Sequence, residues 1–268
     1  MHATAAVAPM IVELGTKSAP ALLRWSVRGR ASYWLHTAQG PVLIDPQVSD
    51  SSGIEQSLAL PEEVPIATVL TNDWHERDAY RLRDRWGTPV WAPTAGLPER
   101  GGELEGTPDH VYDEGTALPG GLRAQAIQGA FAGEHLLWWR APTGEGVLFT
   151  GDAVNGQAAE ASPVRDDWRT APGLYLGVAH YYSQWLANPS GLRESLRPAL
   201  DEEFDLLCGS HARPYRHRAR EALAQLLAQD WPAILRTGGR PAVYPRLLAA
   251  CQYGRRQSFP LVEQRDYP

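Results

Sequence analysis

Residues 31–50 read ASYWLHTAQGPVLIDPQVSD, and the fold is decided there. Two apolar runs, 32–37 and 42–44, flank the turn signal Gly40-Pro41, so the segment is a strand, a tight turn and a second strand. The second strand is short and wholly apolar, and it stops on Asp45. A carboxylate placed directly after a buried strand stands where α/β proteins assemble their sites.

Outward from this hairpin, short apolar or alternating runs at 11–14 and 21–27 predict strands before it, and 66–71 and 89–92 predict strands after it. Residues 76–86 carry a helical pattern closed by Gly87 and Pro89. A Gly- and Pro-rich loop fills 101–121, followed by expected strands at 122–128, 135–140 and 147–150. Residues 156–191 are long, irregular and aromatic, which suits a lid, a binding loop or a helical insertion. Helix is expected at 191–200 and 214–228, with one more strand at 204–208.

The chain has 268 residues, enough to bury a core without disulfides or metals as staples. Its 43% hydrophobic and 21% charged content is that of a globular protein. A net charge of −6 argues against nucleic acid and anionic membrane as partners. Cys208 and Cys251 are too few for a disulfide framework and suit a reducing cytoplasm. No apolar run reaches the roughly 18 residues of a membrane span. Residues 1–10 lack a basic stretch followed by an apolar one, so no signal peptide is expected.

Four predicted strand ends carry polar residues: Asp45, the run Thr71-Asn72-Asp73-Trp74-His75-Glu76-Arg77-Asp78, Gly151-Asp152, and Gly209-Ser210-His211. Asp and His gathered from several strand ends can make a metal site from distant sequence. With their order and spacing, residues 10–230 resemble the metallo-β-lactamase-fold hydrolases. Residues 31–50 resemble the opening strand pair of that family with its Leu-Ile-Asp-Pro-like turn. Thr71 stands where its Thr-His-x-His-x-Asp-His motif begins. Residues 129–133, Gly-Ala-Phe-Ala-Gly, stand at its Gly-His-Thr-x-Gly, Phe149-Thr150-Gly151-Asp152 match its Gly-Asp motif, and residues 208–214 match its late Gly-His-Gly-x-Pro.

The resemblance implies an α/β, four-layer αββα sandwich of the metallo-β-lactamase type. Residues 1–235 form that domain, and 236–268 a C-terminal helical extension packed on it. The departures from the family pattern are specific. Ala130 replaces the third histidine. The first motif has two registers. Anchored on Thr71, it places Asn72, Trp74, Glu76 and Arg77 at ligand positions. Anchored on His75, it places Asp73, His75, Arg77 and Asp78 there. The expected metal ligands are His75, Asp78, Asp152 and His211, and the expected catalytic residues are Asp152, Arg77 and Asp78. Arg77 puts a permanent cation in a former two-metal pocket, which opposes a second metal ion and suits an anion of the substrate. His180, Tyr181 and Trp185 join Arg77 as candidate substrate contacts.

The resemblance therefore implies a hydrolase with at most one divalent cation (Zn, Fe or Mn). Its substrate would be a small ester, thioester, lactone or phosphoester. The alternative is an inactive relic without metal, whose pocket binds a small anion or a protein partner. Neither reading involves nucleic acid or membrane, both fit a cytoplasmic protein, and an oligomer through 156–188 is open.

Plainer roles compete residue by residue. Asp73 with Glu76 makes a capping-box-like pair at a helix start. His75 could be a buried hydrogen-bonded ring, and Arg77 with Asp78 a surface ion pair. The aromatic stripe around His180 could be a packed helix face. Glu134 reads as a solvated or hydrogen-bonded residue at the start of a strand, not as a catalytic acid. His36, His110, His135 and His217 have no partner spacing, and Cys208 reads as a small buried hydrophobe.

Overall fold

The structure is a computed structural model, described here for residues 10–12, 21–27, 30–49, 61–128, 133–156, 174–176, 189–211, 214–216 and 218–229. Strands β1 (Met10–Val12), β2 (Leu22–Val27), β3 (Arg30–Thr37), β4 (Gly40–Ile44), β5 (Ala67–Val69), β6 (Val90–Pro93) and β7 (His110–Tyr112) form a seven-stranded sheet in sequence order. The first four are antiparallel; β4 to β7 run parallel. The second sheet contains β8 (Arg123–Ala126), β9 (His135–Arg140), β10 (Gly146–Gly151), β13 (Leu206–Gly209) and β14 (Tyr215–Arg216), in the order β14-β13-β10-β9-β8. A small pair, β11 (Val154–Asn155) and β12 (Tyr175–Leu176), follows β10.

Period-two side-chain alternation explains the layering. In β3 and β4, Ala31, Tyr33, Leu35, Val42 and Ile44 point into the core between the sheets. Trp34 and Leu43 point the other way, against Leu82 of helix α1 (Ala79–Trp86). In β9, β10 and β13, Leu137, Trp139, Val147, Phe149, Leu206 and Cys208 fill the same central core. Their neighbours Leu136, Trp138, Leu148 and Leu207 pack against α2 (Pro189–Leu196) and α3 (Ala219–Ala228). Each sheet is thus buried on both faces, and the layers run α, β, β, α, as the motif order predicts. Among the described residues no helix is long and apolar enough to cross a membrane.

Three details differ from the sequence reading. The helix expected over 76–86 begins only at Ala79, because Arg77 takes a left-handed backbone with φ 38° and breaks the path from the preceding 3-10 turn, Asp73–His75. The loop 101–121 contains β7, whose three residues were too short a run to register. The stretch 214–228 splits into β14 and a helix starting at Ala219. Cys208 is buried and free, as expected. The extension 236–268 and the aromatic residues 177–188 lie outside the described residues.

The parallel pairs set up the site. Because β4 runs parallel to β5 and β10 parallel to β13, each pair delivers both of its C-terminal ends to one edge. There the sheets are stitched together: Ala31 N donates to Ser210 O (2.7 Å), His135 N to Thr71 O (2.9 Å) and Tyr33 Oη to Gly209 O (2.7 Å).

Candidate metal centre

Asp45 leaves β4 with φ 47° and is 1% exposed. Its Oδ1 accepts from Thr71 N (2.8 Å), and its Oδ2 accepts from Thr71 Oγ1 (2.6 Å). His75 Nδ1 lies 2.9 Å from the same Oδ2 and 2.8 Å from Thr71 Oγ1. An ionised carboxylate only accepts, so Nδ1 carries the proton and Nε2 is turned the other way. Nε2 lies 3.3 Å from Asp152 Oδ1, and His211 Nε2 lies 2.8 Å from that same oxygen.

The ligand atoms of His75, Asp152 and His211 all fall within 4.8 Å of one another. Donors about 2.1 Å from a tetrahedral cation stand roughly 3.4 Å apart, so the three need little movement to share one. Two imidazoles and a carboxylate are a donor set that suits Zn, Fe and Mn. The Asp45 carboxylate behind His75 is the hydrogen-bonded support that metal-bound imidazoles normally have. These residues fit a single divalent cation.

The charges around the triad are strongly coupled. Burial and the Arg77 cation both disfavour a charged His75, but Asp152 and Asp45 outweigh them and raise its pKa to about 9. Burial lowers the His211 pKa, although Asp152 opposes the shift. The Asp152 carboxyl is held well below its ordinary range because the two imidazoles overcome its burial. Glu134, 1% exposed, is pushed up to about 8 by burial and by Asp152.

The first motif divides its labour differently from either register. Of the run 71–78, His75 is the residue whose ligand atom is grouped with those of Asp152 and His211. Asn72 is the N-cap: its Oδ1 accepts from Trp74 N (2.9 Å), and its Nδ2 donates to Glu134 Oε2 (2.8 Å). Asp73, the expected cap, instead accepts from Glu103 N (2.8 Å), and Glu76 accepts from Glu105 N and Gly106 N. Asp78 is not brought to the triad. Its carboxylate accepts from Val48 N (2.7 Å), Ser49 N (2.8 Å) and Ser49 Oγ (2.7 Å), so it clamps the turn after β4 and lies outside the group of His75, Asp152 and His211.

Arg77 donates through Nη1 to Ala31 O (2.8 Å) and Asp45 O (3.0 Å). Its Nη2 is buried and has no hydrogen-bond partner among the described residues. The guanidinium is close enough to depress the basicity of both His75 and His211. It therefore sits beside the triad, not in a surface pair with Asp78. His180, Tyr181, Trp185 and Ala130 lie outside the described residues.

Two residues of this site were not legible as such. Asp45 was visible as a strand end, but nothing in the sequence paired it with His75. Glu134 reads as a solvated or hydrogen-bonded residue at a strand start; it is the hydrogen-bonded, buried one, with Oε1 accepting from Asp152 N (2.9 Å), and its link to the site was not legible. The available signal was its position directly after Gly133, the last residue of the stretch 129–133 that stands at the family's Gly-His-Thr-x-Gly.

No family model and no curated protein matches the sequence. Solved structures do match the fold. The BLEG-1 B3 metallo-beta-lactamase superposes with a TM-score of 0.50 at 16% identity, over 78% of this chain and 98% of that one. A beta-lactamase domain protein from Burkholderia ambifaria gives a TM-score of 0.50 at 19% identity, over 80% of this chain and 75% of that one. At such identities the likeness establishes the architecture, which is the four-layer sandwich already described.

Proposed function

We propose that this chain, whose fold is that of the metallo-β-lactamases, is a metal-dependent hydrolase with a one-cation site. Its substrate is a small anionic ester, thioester, lactone or phosphoester. The observation that carries the reading is the convergence of His75 Nε2, Asp152 Oδ1 and His211 Nε2 within 4.8 Å. When bound, a divalent cation supplies Lewis acidity for a carbonyl or phosphoryl oxygen and a lowered pKa for water.

The chain's own residues set the conditions for that chemistry. Asp45 holds the proton of His75 on Nδ1 and so keeps Nε2 turned toward Asp152. Arg77, tied by Nη1 to two backbone carbonyls, keeps Nη2 for an anionic group of the substrate. The same fixed positive charge disfavours a second cation in the pocket.

Turnover of a panel covering the four linkages, each with and without a carboxylate or phosphate on the acyl or alkyl side, tests the reading. Activity on an anionic member should return when Zn2+, Fe2+ or Mn2+ is added to chelator-treated protein, and His211→Ala should lose it. Activity unaffected by chelator and by His211→Ala overturns it. A second reading, an inactive anion-binding pocket, is favoured by one observation. Asp152 Oδ1 already lies within ion-pair distance of both imidazoles, so the network can close on itself without a metal. Cation-independent binding of a small anion, with no turnover, would favour that second reading.

A further inference from the structure

Glu134 is a buried carboxylate with no place in the chemistry above. It stands at the start of β9, its backbone fixed by Ile127 N donating to its carbonyl (2.9 Å). Its Oε1 accepts from Asp152 N (2.9 Å) and its Oε2 from Asn72 Nδ2 (2.8 Å). These contacts are to the two turns that carry ligands. One turn follows β10 and bears Asp152; the other is the 3-10 turn capped by Asn72 and bearing His75.

Gly151 makes room for this contact. A Cβ there would lie 2.2 Å from Glu134 Oε1 and 2.9 Å from Thr71 Oγ1. The chain has thus kept a bare backbone where the carboxylate lies down. Burying a carboxyl group is costly, and burial with Asp152 raises the Glu134 pKa to about 8, so two hydrogen bonds to neutral donors compensate the charged form only in part. An apolar residue would pack the start of a strand at less cost. What a carboxylate provides here is two acceptors at a fixed spacing, one for each turn.

We propose that Glu134 and Asn72 are a positioning pair that sets the separation of the two ligand-bearing turns, and hence the geometry of the cation site. The inference rests on the one-cation reading above. It concerns residues that touch neither the cation nor the substrate.

The test uses the full chain, with Zn2+ affinity measured by competition against a chromophoric chelator and the visible spectrum of the Co2+ form as a signature of geometry. Glu134→Gln sets two amide donors face to face at Asn72 and should weaken Zn2+ binding by about 10- to 100-fold, the usual effect of disturbing a residue behind the ligands. The double variant Asn72→Asp/Glu134→Gln restores every hydrogen bond with the amide and the carboxylate exchanged, and it should recover most of that loss and the Co2+ spectrum. Asn72→Ser removes the Nδ2 donor without changing charge and keeps an oxygen to cap Trp74 N. It should also weaken binding, and it serves if Glu134→Gln does not fold. Zn2+ affinity within twofold of wild type in Glu134→Gln or Asn72→Ser, with only the melting temperature lowered, overturns the proposal. So does a double variant no better than Glu134→Gln. Wild type that binds no Zn2+ and no Co2+ overturns the one-cation reading itself, a distinct outcome.

Discussion

Asp45 and His75 lie 30 residues apart in the chain, and their Oδ2 and Nδ1 atoms are 2.9 Å apart. That contact joins the end of β4 to the turn after β5 and decides which nitrogen His75 presents to Asp152. Its consequence can be tested. Asp45→Asn keeps the shape but can turn an amide N–H toward Nδ1–H. The ring then loses its fixed tautomer, and Zn2+ affinity should fall by about 10- to 100-fold. Chelator competition on folded protein measures this, and affinity within twofold of wild type would show that Asp45 does not orient the ring.

Asp78 should behave in the opposite way. Replacing it by Ala leaves the buried N–H groups of Val48 and Ser49 without their acceptor. At about 1–3 kcal/mol for each unsatisfied group, the loss is roughly 2–6 kcal/mol of stability. Chemical denaturation should record that loss, while the metal content of the protein that remains folded stays at the wild-type level. Loss of metal without loss of stability would return Asp78 to the ligand set.

The contrast between Asp45 and Asp78 shows how far the sequence can be read. Apolar runs of period two located most strands, and the polar residues after them marked the edge where the site lies. That His75, Asp152 and His211 come together was legible because each comes after a strand at a family-like spacing. The role of Asp78 was not legible, since one turn of backbone decides whether a side chain faces the pocket or the preceding loop. Arg77 with its positive φ makes that decision. Glu134 was hidden for a different reason: its partners, Asn72 and Asp152, are 62 and 18 residues away, and no local pattern links them.

Gly151 should not tolerate a side chain. Its φ of 50° is strained for any L-residue with a Cβ, and that atom would meet Glu134 Oε1 at 2.2 Å. Gly151→Ala should lower the melting temperature by several degrees and weaken Zn2+ binding together, because relief of the contact moves Glu134 off the Asp152 backbone. A variant with wild-type melting temperature and Zn2+ affinity would contradict the close packing.

His135 predicts an acid-sensitive contribution to stability. Its Nδ1 lies 2.9 Å from Gly133 O, an acceptor, so Nδ1 carries the proton. Its Nε2 is buried with no hydrogen-bond partner among the described residues. Protonation would place a second N–H in that spot, and burial lowers its pKa from the ordinary 6.5. The unfolded chain therefore binds more protons than the folded one just below that pH. Stability is full above it and is lost as pH falls through it. His135→Asn keeps a donor for Gly133 O and removes the titration. Urea midpoints at pH 7.5 and 5.5 should differ less in the variant than in wild type; an equal difference would remove His135 as a cause.

The most direct measurement is elemental analysis of untagged full-length protein after dialysis against Zn2+, Fe2+ or Mn2+, alongside His75→Ala and His211→Ala. The expected result is about one equivalent in wild type and less than about a tenth in each folded variant, as a three-residue site with no substitute ligand requires. Two equivalents in wild type, or none, or one that survives both substitutions, would contradict a single cation held by His75, Asp152 and His211.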